Sequence, residues 1–170
     1  PYQHYGEMDP EDINSIIAYI RSLAPIKTEV PESVSDFPMN FIINTIPQKA
    51  NPQKIPLKSD ALAYGKYLVN ASACIECHSQ VDKGKVIESL AFGGGREFAM
   101  PDGAVVRSAN ITPDQQSGIG SWTEEVFVNR FKAYADSSYK SPVVQKGEFN
   151  SVMPWLMYAQ MNTEDLKAIY

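Results

Sequence analysis

Apolar and polar positions alternate with helical period in three stretches of this chain. Ile13, Ile16, Ile17, Ile20 and Leu23 follow the i, i+3, i+4, i+7 spacing of one buried helix face. Asp9 suits the N-cap ahead of them, Pro10 the first helical position, and Glu11 and Asp12 the positive end of the dipole. Pro25 ends the run. A second helix is expected from a Ser59 cap to about Asn70, with Leu62, Leu68 and Val69 inward and Gly65 permitting close approach of another helix. A third starts at Thr123, with Glu124 and Glu125 in its first turn, and runs to about Ala135. Trp122 can pack on Phe127 there as a hydrophobic staple.

Between the second and third helices the periodicity fails. Gly93-Gly94-Gly95 reads as a flexible stretch, and Pro101-Asp102-Gly103 as a tight turn between Glu97–Met100 and Ala104–Arg107, a short hairpin. Asn110-Ile111-Thr112-Pro113-Asp114 reads as a loop of turn formers.

The two ends of the chain resemble each other. Pro1, Tyr5, Met8, Glu11 and Asp12 recur as Pro154, Tyr158, Met161, Glu164 and Asp165, at one constant offset of domain length. A fixed offset of this size predicts two related domains in tandem. In the later copy Asn162 is the cap, Leu166 and Ile169 begin the same face, and the chain stops at Tyr170 with that helix unfinished. Residues 1–24 are therefore expected to be the C-terminal remnant of a preceding domain, and 59–170 a domain with a truncated final helix. Residues 25–58, rich in proline, would be an extended, semi-rigid linker. Within it, Phe37-Pro38-Met39-Asn40-Phe41-Ile42-Ile43 is too apolar for free chain and is expected to pack on a domain or a partner.

Composition adds limits. The chain has 170 residues, 44% hydrophobic and 21% charged, with a net charge of −5 and no basic cluster, which argues against a nucleic-acid surface. No apolar run approaches the length of a membrane span.

Cys74-Ile75-Glu76-Cys77-His78 carries the chemistry. Two thiols one helical turn apart can add to the two vinyl groups of a haem, and the adjoining histidine supplies a proximal imidazole. Three plainer readings compete. A thioredoxin-like redox pair would follow a strand in a βαβ pattern, which is missing here. A structural zinc site needs about four ligands, and the only other histidine is His4. Two ordinary buried cysteines beside a chance histidine is the third. For the second face of an iron, Met100, Met153, Met157 and Met161 are candidates, although most methionines are core filler. Met153 is preferred because Pro154 holds it out of helix, so that its thioether can point at a metal. The residue before Pro1 is expected to be its counterpart, another methionine. Trp122 has two readings, a staple or an indole N–H that bonds a haem propionate.

Together these residues resemble class I c-type cytochromes. They are most similar to the dihaem and trihaem cytochrome c subunits of alcohol- and gluconate-type membrane-bound dehydrogenases. The likeness rests on Cys74-Ile75-Glu76-Cys77-His78, Gly93-Gly94, Asn110-Ile111-Thr112-Pro113-Asp114, Gly118-Ile119-Gly120-Ser121-Trp122, Met153-Pro154-Trp155 and Glu164-Asp165-Leu166. It implies a mostly α fold, a cytochrome c-like helical haem domain with a short β-hairpin and long loops. It implies that Asn110, Ile111 and Pro113 line the haem edge and that Met153 is the distal ligand. The expected cofactor is haem c, one in this window and a second in the preceding domain.

The expected function is electron transfer at a His78/Met153 haem, in a respiratory chain, by a carrier with no catalytic residues of its own. Donor and acceptor would be redox proteins: a dehydrogenase, a quinol-oxidising complex or a terminal oxidase. No nucleic acid is expected, and association with a membrane complex is compatible with the likeness. Bacterial haem attachment places the protein in the periplasm or on the periplasmic face of the inner membrane. The alternative is a haem enzyme, a dihaem peroxidase or sulfur-compound dehydrogenase, with an exchangeable sixth site.

Overall fold

The computed structural model describes residues 2–145 and 147–170. Pro1, the first position of the repeat, lies outside the described residues, as does the expected methionine before it. About 38% of the chain is helical, with two small antiparallel hairpins, which agrees with a mostly α fold. The chain divides into two compact units, the first ending at Ile55 and the second beginning at Pro56.

In the first unit, α1 (Tyr2–Gly6) and α2 (Pro10–Ser22) meet at Asp9. Asp9 caps α2 by accepting from the Glu11 N–H at 3.0 Å, and its other oxygen accepts from the Ile55 N–H at 2.9 Å. These bonds, the Ile55 one first, hold its carboxyl below the usual value. The chain also returns along α1: Asn51 donates to the Gly6 carbonyl at 2.9 Å and Gln53 to the Glu7 carbonyl at 3.1 Å. The stretch expected to be linker is thus extended at first, forms the short α3 (Met39–Ile42), and ends hydrogen-bonded to the unit's own helices. Met8 is buried, as a packing role requires.

The α2 face is a correction. Its periodicity and caps form as expected, but the face is not buried: Ile16, Ile17 and Leu23 are exposed, and Ile20 is 58% exposed. Periodicity specifies a face; what covers it has to come from elsewhere.

The second unit is built on α4 (Ala61–Ala71), α6 (Glu124–Lys132) and α8 (Thr163–Ile169). Asp60 caps α4 through the Ala63 N–H, one residue later than the expected Ser59. Asp and Ser are near-equal N-caps, so neighbouring candidates are not separable by type. Leu62 does not face inward; it is 86% exposed, and the α4 face turned to the core holds Tyr64 and Gly65. Gly65 acts as expected: a Cβ there would overlap the Ala168 carbonyl of α8. Beside it the Tyr64 hydroxyl donates to Asp165 Oδ1 at 2.9 Å, and Lys58 donates to the same oxygen at 3.3 Å. Leu166 is fully buried between the helices.

Thr123 caps α6 through the Val126 N–H, but the helix closes at Lys132 rather than near Ala135. Lys132 turns inward, donating to the carbonyls of Ala159 (3.0 Å) and Met161. The rings against Phe127 are Phe131 and Tyr170, with centroids 5.0 and 5.6 Å away.

Two hairpins lie between α4 and α6. The expected one pairs β3 (Glu97–Ala99) with β4 (Val105–Arg107), Phe98 opposite Val106. The other was missed. It pairs β1 (Val81–Asp82) with β2 (Lys85–Val86) through Lys83 and Gly84, both at positive φ, numbering the strands in chain order. Its strands are two residues long, too short to show alternation.

Candidate haem site

α5 is the motif itself, Cys74–His78, set off from α4 by a sharp turn. Ala73 makes that turn at φ 52, ψ 34, the left-handed conformation that costs a residue with a Cβ about 1–2 kcal/mol. Ala73→Gly is expected to stabilise the fold by about 0.5–1 kcal/mol, since glycine's looser unfolded chain offsets part of the relief. Urea denaturation of the haem-loaded protein would read this as a higher midpoint at unchanged slope.

One helical turn separates the two thiols, and neither is in a disulfide. Cys74 is half-buried and Cys77 exposed. Burial pushes the Cys74 thiol up to about 11, so it is protonated at neutral pH.

His78 ends the turn. Its Nδ1 lies 2.8 Å from the carbonyl oxygen of Ala109. A carbonyl only accepts, so Nδ1 carries a proton, and it is Nε2 that the neutral ring would offer to a metal. This is the orienting bond that a ligating histidine needs from outside the coordination shell. The His78 backbone is held too. Its carbonyl accepts from the Gly94 N–H at 2.7 Å. Gly94 has φ 74, and a Cβ there would come within 2.5 Å of the Ala109 carbonyl carbon and Asn110 nitrogen. The glycine run expected to be flexible is therefore ordered, a strap across the end of α5. Just beyond the motif, Ser79 is fully buried and its hydroxyl accepts from the Phe92 N–H at 2.9 Å; Ile111 donates to the Phe92 carbonyl at 2.9 Å. Arg96, two residues after Gly94, donates through Nη1 to the Glu76 carbonyl.

The loop after Ala109 folds on itself. Asn110 Oδ1 accepts from the Thr112 N–H (2.8 Å) and hydroxyl (2.7 Å), while its Nδ2 donates to Ser117 Oγ at 3.0 Å. Asp114 accepts from the N–H and hydroxyl of Ser117 and from the Gln116 N–H, which lowers its pKa. Pro113 sits between these two turns. Ile119 donates back to the Thr112 carbonyl, and Trp122 to the Ile119 carbonyl, both at 2.9 Å. The Trp122 carbonyl accepts from the Tyr170 hydroxyl at 2.6 Å, which ties the loop to the end of α8.

Met153 is half-buried and precedes α7 (Trp155–Tyr158). Its neighbour Trp155 anchors the segment on α6. The Trp155 ring stacks on Tyr134 (5.2 Å, 15°), meets Phe131 at 5.5 Å, and has the Arg130 guanidinium 4.7 Å from its centroid. From α7, the Tyr158 hydroxyl reaches the Ser72 carbonyl at 2.8 Å, two residues before Cys74.

Hydrogen bonds thus tie His78 to the Ala109 backbone and Ile111 to the Phe92 backbone, and join the Trp122 carbonyl to the end of α8, while Met153 lies two residues before Trp155, which packs on α6. Two contributors carried no sequence signal. The Ala109 acceptor is a backbone atom that any residue could present, and Arg96 lies twenty positions from the carbonyl it reaches. Among the described residues no three His, Cys, Asp or Glu side chains gather as a metal cluster, which leaves a zinc reading short of ligands.

The donor set fits haem c. Two unbridged thiols lie one turn apart beside an imidazole whose Nε2 is kept available. The second unit's buried apolar side chains, among the described residues, are only Tyr64, Phe127, Val128, Ala159 and Leu166, so a large apolar group would complete its core.

No family model matches the chain. Curated relatives do. The chain is 35% identical over 114 residues to the gluconate 2-dehydrogenase cytochrome c subunit of Pantoea cypripedii, covering 66% of this chain and 22% of that one. It is 29% identical over 106 residues to the cytochrome c subunit of the quinone alcohol dehydrogenase of Gluconobacter oxydans (strain 621H), covering 62% and 19%. It is 29% identical over 129 residues to the fructose dehydrogenase cytochrome subunit of Gluconobacter japonicus, covering 75% and 24%. The chain therefore spans less than a quarter of the length of these relatives. All three are, by name, cytochrome subunits of dehydrogenases. The resemblance carried by the motif and its surrounding loops is thus matched, and this chain is related to the cytochrome c subunits of gluconate, alcohol and fructose dehydrogenases.

Proposed function

We propose that the second unit is a haem domain of an electron-transfer cytochrome, held by thioethers at Cys74 and Cys77, with His78 as proximal and Met153 as distal ligand. The observation that carries this is the His78 Nδ1–Ala109 bond, which sets the tautomer and presents Nε2. The haem, when bound, supplies a one-electron Fe(III)/Fe(II) couple. The protein's part is to hold and shield it. Pro154 and the Trp155 anchor on α6 support Met153, because they keep the thioether on a fixed, non-helical backbone. A neutral thioether favours Fe(II) and raises the potential. Asn110, Ile111 and Pro113 would line the haem edge, and the Trp122 indole N–H would be a donor for a propionate.

Residues 1–24 are read as the C-terminal part of a preceding cytochrome domain, which would make the chain part of a relay with a second haem. Support comes from the shared caps at Asp9 and Asn162, and from the contrast between exposed α2 and α8, whose Leu166 is fully buried. The donor and acceptor are redox proteins, drawn from a dehydrogenase, a quinol-oxidising complex or a terminal oxidase, at the periplasmic face of a membrane. No helix among the described residues is long and apolar enough to cross a membrane. The acidic balance suits basic docking patches and predicts that transfer rates fall as salt rises.

Cys77→Ser is the direct test. The variant is expected to hold haem by a single thioether, which shifts the pyridine haemochrome band and leaves one vinyl unsaturated. A wild-type spectrum in that variant would sink the attachment reading. Two haems or more per complete gene product would bear out the relay, and one would refute it.

A further inference from the structure

Two contacts from one segment of chain act on the carbonyls of the motif helix: Gly94 on His78 and Arg96 on Glu76. The Gly94 contact is a neutral backbone bond. Arg96 brings a full positive charge to a carbonyl inside Cys74-Ile75-Glu76-Cys77-His78, two residues from the iron ligand. Its backbone is fixed on both sides: Arg96 N–H donates to Ser108 Oγ and Ser108 N–H to the Arg96 carbonyl, each at 3.0 Å. The guanidinium also lies over the Phe98 ring, 5.8 Å from its centroid. The side chain is half-buried, where a charge acts over distance more strongly than in open water.

We propose that Arg96 is a positioning and charge-tuning residue for the haem. Its fork caps the motif helix through the Glu76 carbonyl, and its fixed charge raises the midpoint potential. This rests on the reading of Cys74, Cys77 and His78 as the haem-holding set. The physical ground is simple. Taking one electron from a redox partner lowers the charge of the iron centre by one, so a nearby fixed cation favours the reduced state. A cation at a helix C-terminus is also favourable for the helix itself. Arginine suits the place because its charge is permanent and its planar donors are held in one orientation.

Arg96→Gln, Arg96→Met and Arg96→Lys in the complete, haem-loaded protein separate the possibilities. Each is read by covalent haem per chain and by spectroelectrochemical midpoint potential. The uncharged Gln variant is expected to keep its haem and shift the Fe(III)/Fe(II) equilibrium about tenfold toward Fe(III), a fall of about 59 mV for one electron. Lys is expected to stay close to wild type. Gln at the wild-type potential overturns the proposal, and so does an equal fall in Gln and Lys, which would reduce Arg96 to a shape requirement. Should Gln not mature, Met takes its place. Maturation of Lys alone supports the charge role, and failure of all three refutes it. A wild-type protein with no covalent haem would remove the underlying haem reading, whereas an unchanged potential in loaded Gln removes only the role of Arg96.

Discussion

Met153→Ala is expected to keep its covalent haem and lose its high potential. The thioether is the ligand that favours Fe(II), and axial ligand identity moves haem potentials over a range of about 0.8 V. The variant's midpoint should fall by more than any change at Arg96 produces. The ferric spectrum should lose its sulfur-to-iron charge-transfer band, and the reduced protein should bind carbon monoxide rapidly where the wild type does not. Met157→Ala and Met161→Ala are the controls. Met157 is largely exposed and Met161 lies beside the α8 cap, so both should leave the band in place. A band that survives Met153→Ala and vanishes in either control would reassign the ligand. Rapid carbon monoxide binding by the wild type would favour a haem enzyme with an exchangeable site.

The second large effect is expected at Gly65→Val. The added Cβ meets the Ala168 carbonyl, a backbone atom in a helix that cannot step aside without parting from α4. The displacement would also strain the Tyr64–Asp165 bond and uncover Leu166. Overpacking usually costs about 1–3 kcal/mol, and a backbone collision that parts two helices belongs at or above the top of that range. Thermal unfolding of the haem-loaded variant should show a clearly lower midpoint, with the visible spectrum unchanged while it remains folded. An unchanged midpoint would mean that the two helices do not pack this closely.

The sequence made local features legible and long-range ones not. Asp9, Thr123 and Asn162 were readable as caps because an N-cap is a contact within three residues. Pro101-Asp102-Gly103 announced its hairpin in the same way. Gly65 was legible because an absent Cβ inside a helix has few other uses. Burial was harder. Ile16, Ile17 and Ile20 have the pattern of a buried face and are exposed, while Leu62 has the hydrophobicity of a core residue and is exposed too. At the site the motif named Cys74, Cys77 and His78 at once. What orients them came from backbone carbonyls and a distant arginine, and neither has a residue-type signature.

The Tyr158 hydroxyl bond to Ser72 has a consequence for motion. Ser72 leads directly into Cys74, and Tyr158 closes the short helix that follows Met153. One side chain therefore joins the two segments that would flank the iron, and Lys132 fastens the same turn to α6. Segments joined in this way open together or stay closed, so they form one cooperative unit in hydrogen exchange rather than two. Amide protons around Ala73 and around Ala159 should exchange at a common rate, and Tyr158→Phe should split that rate into two.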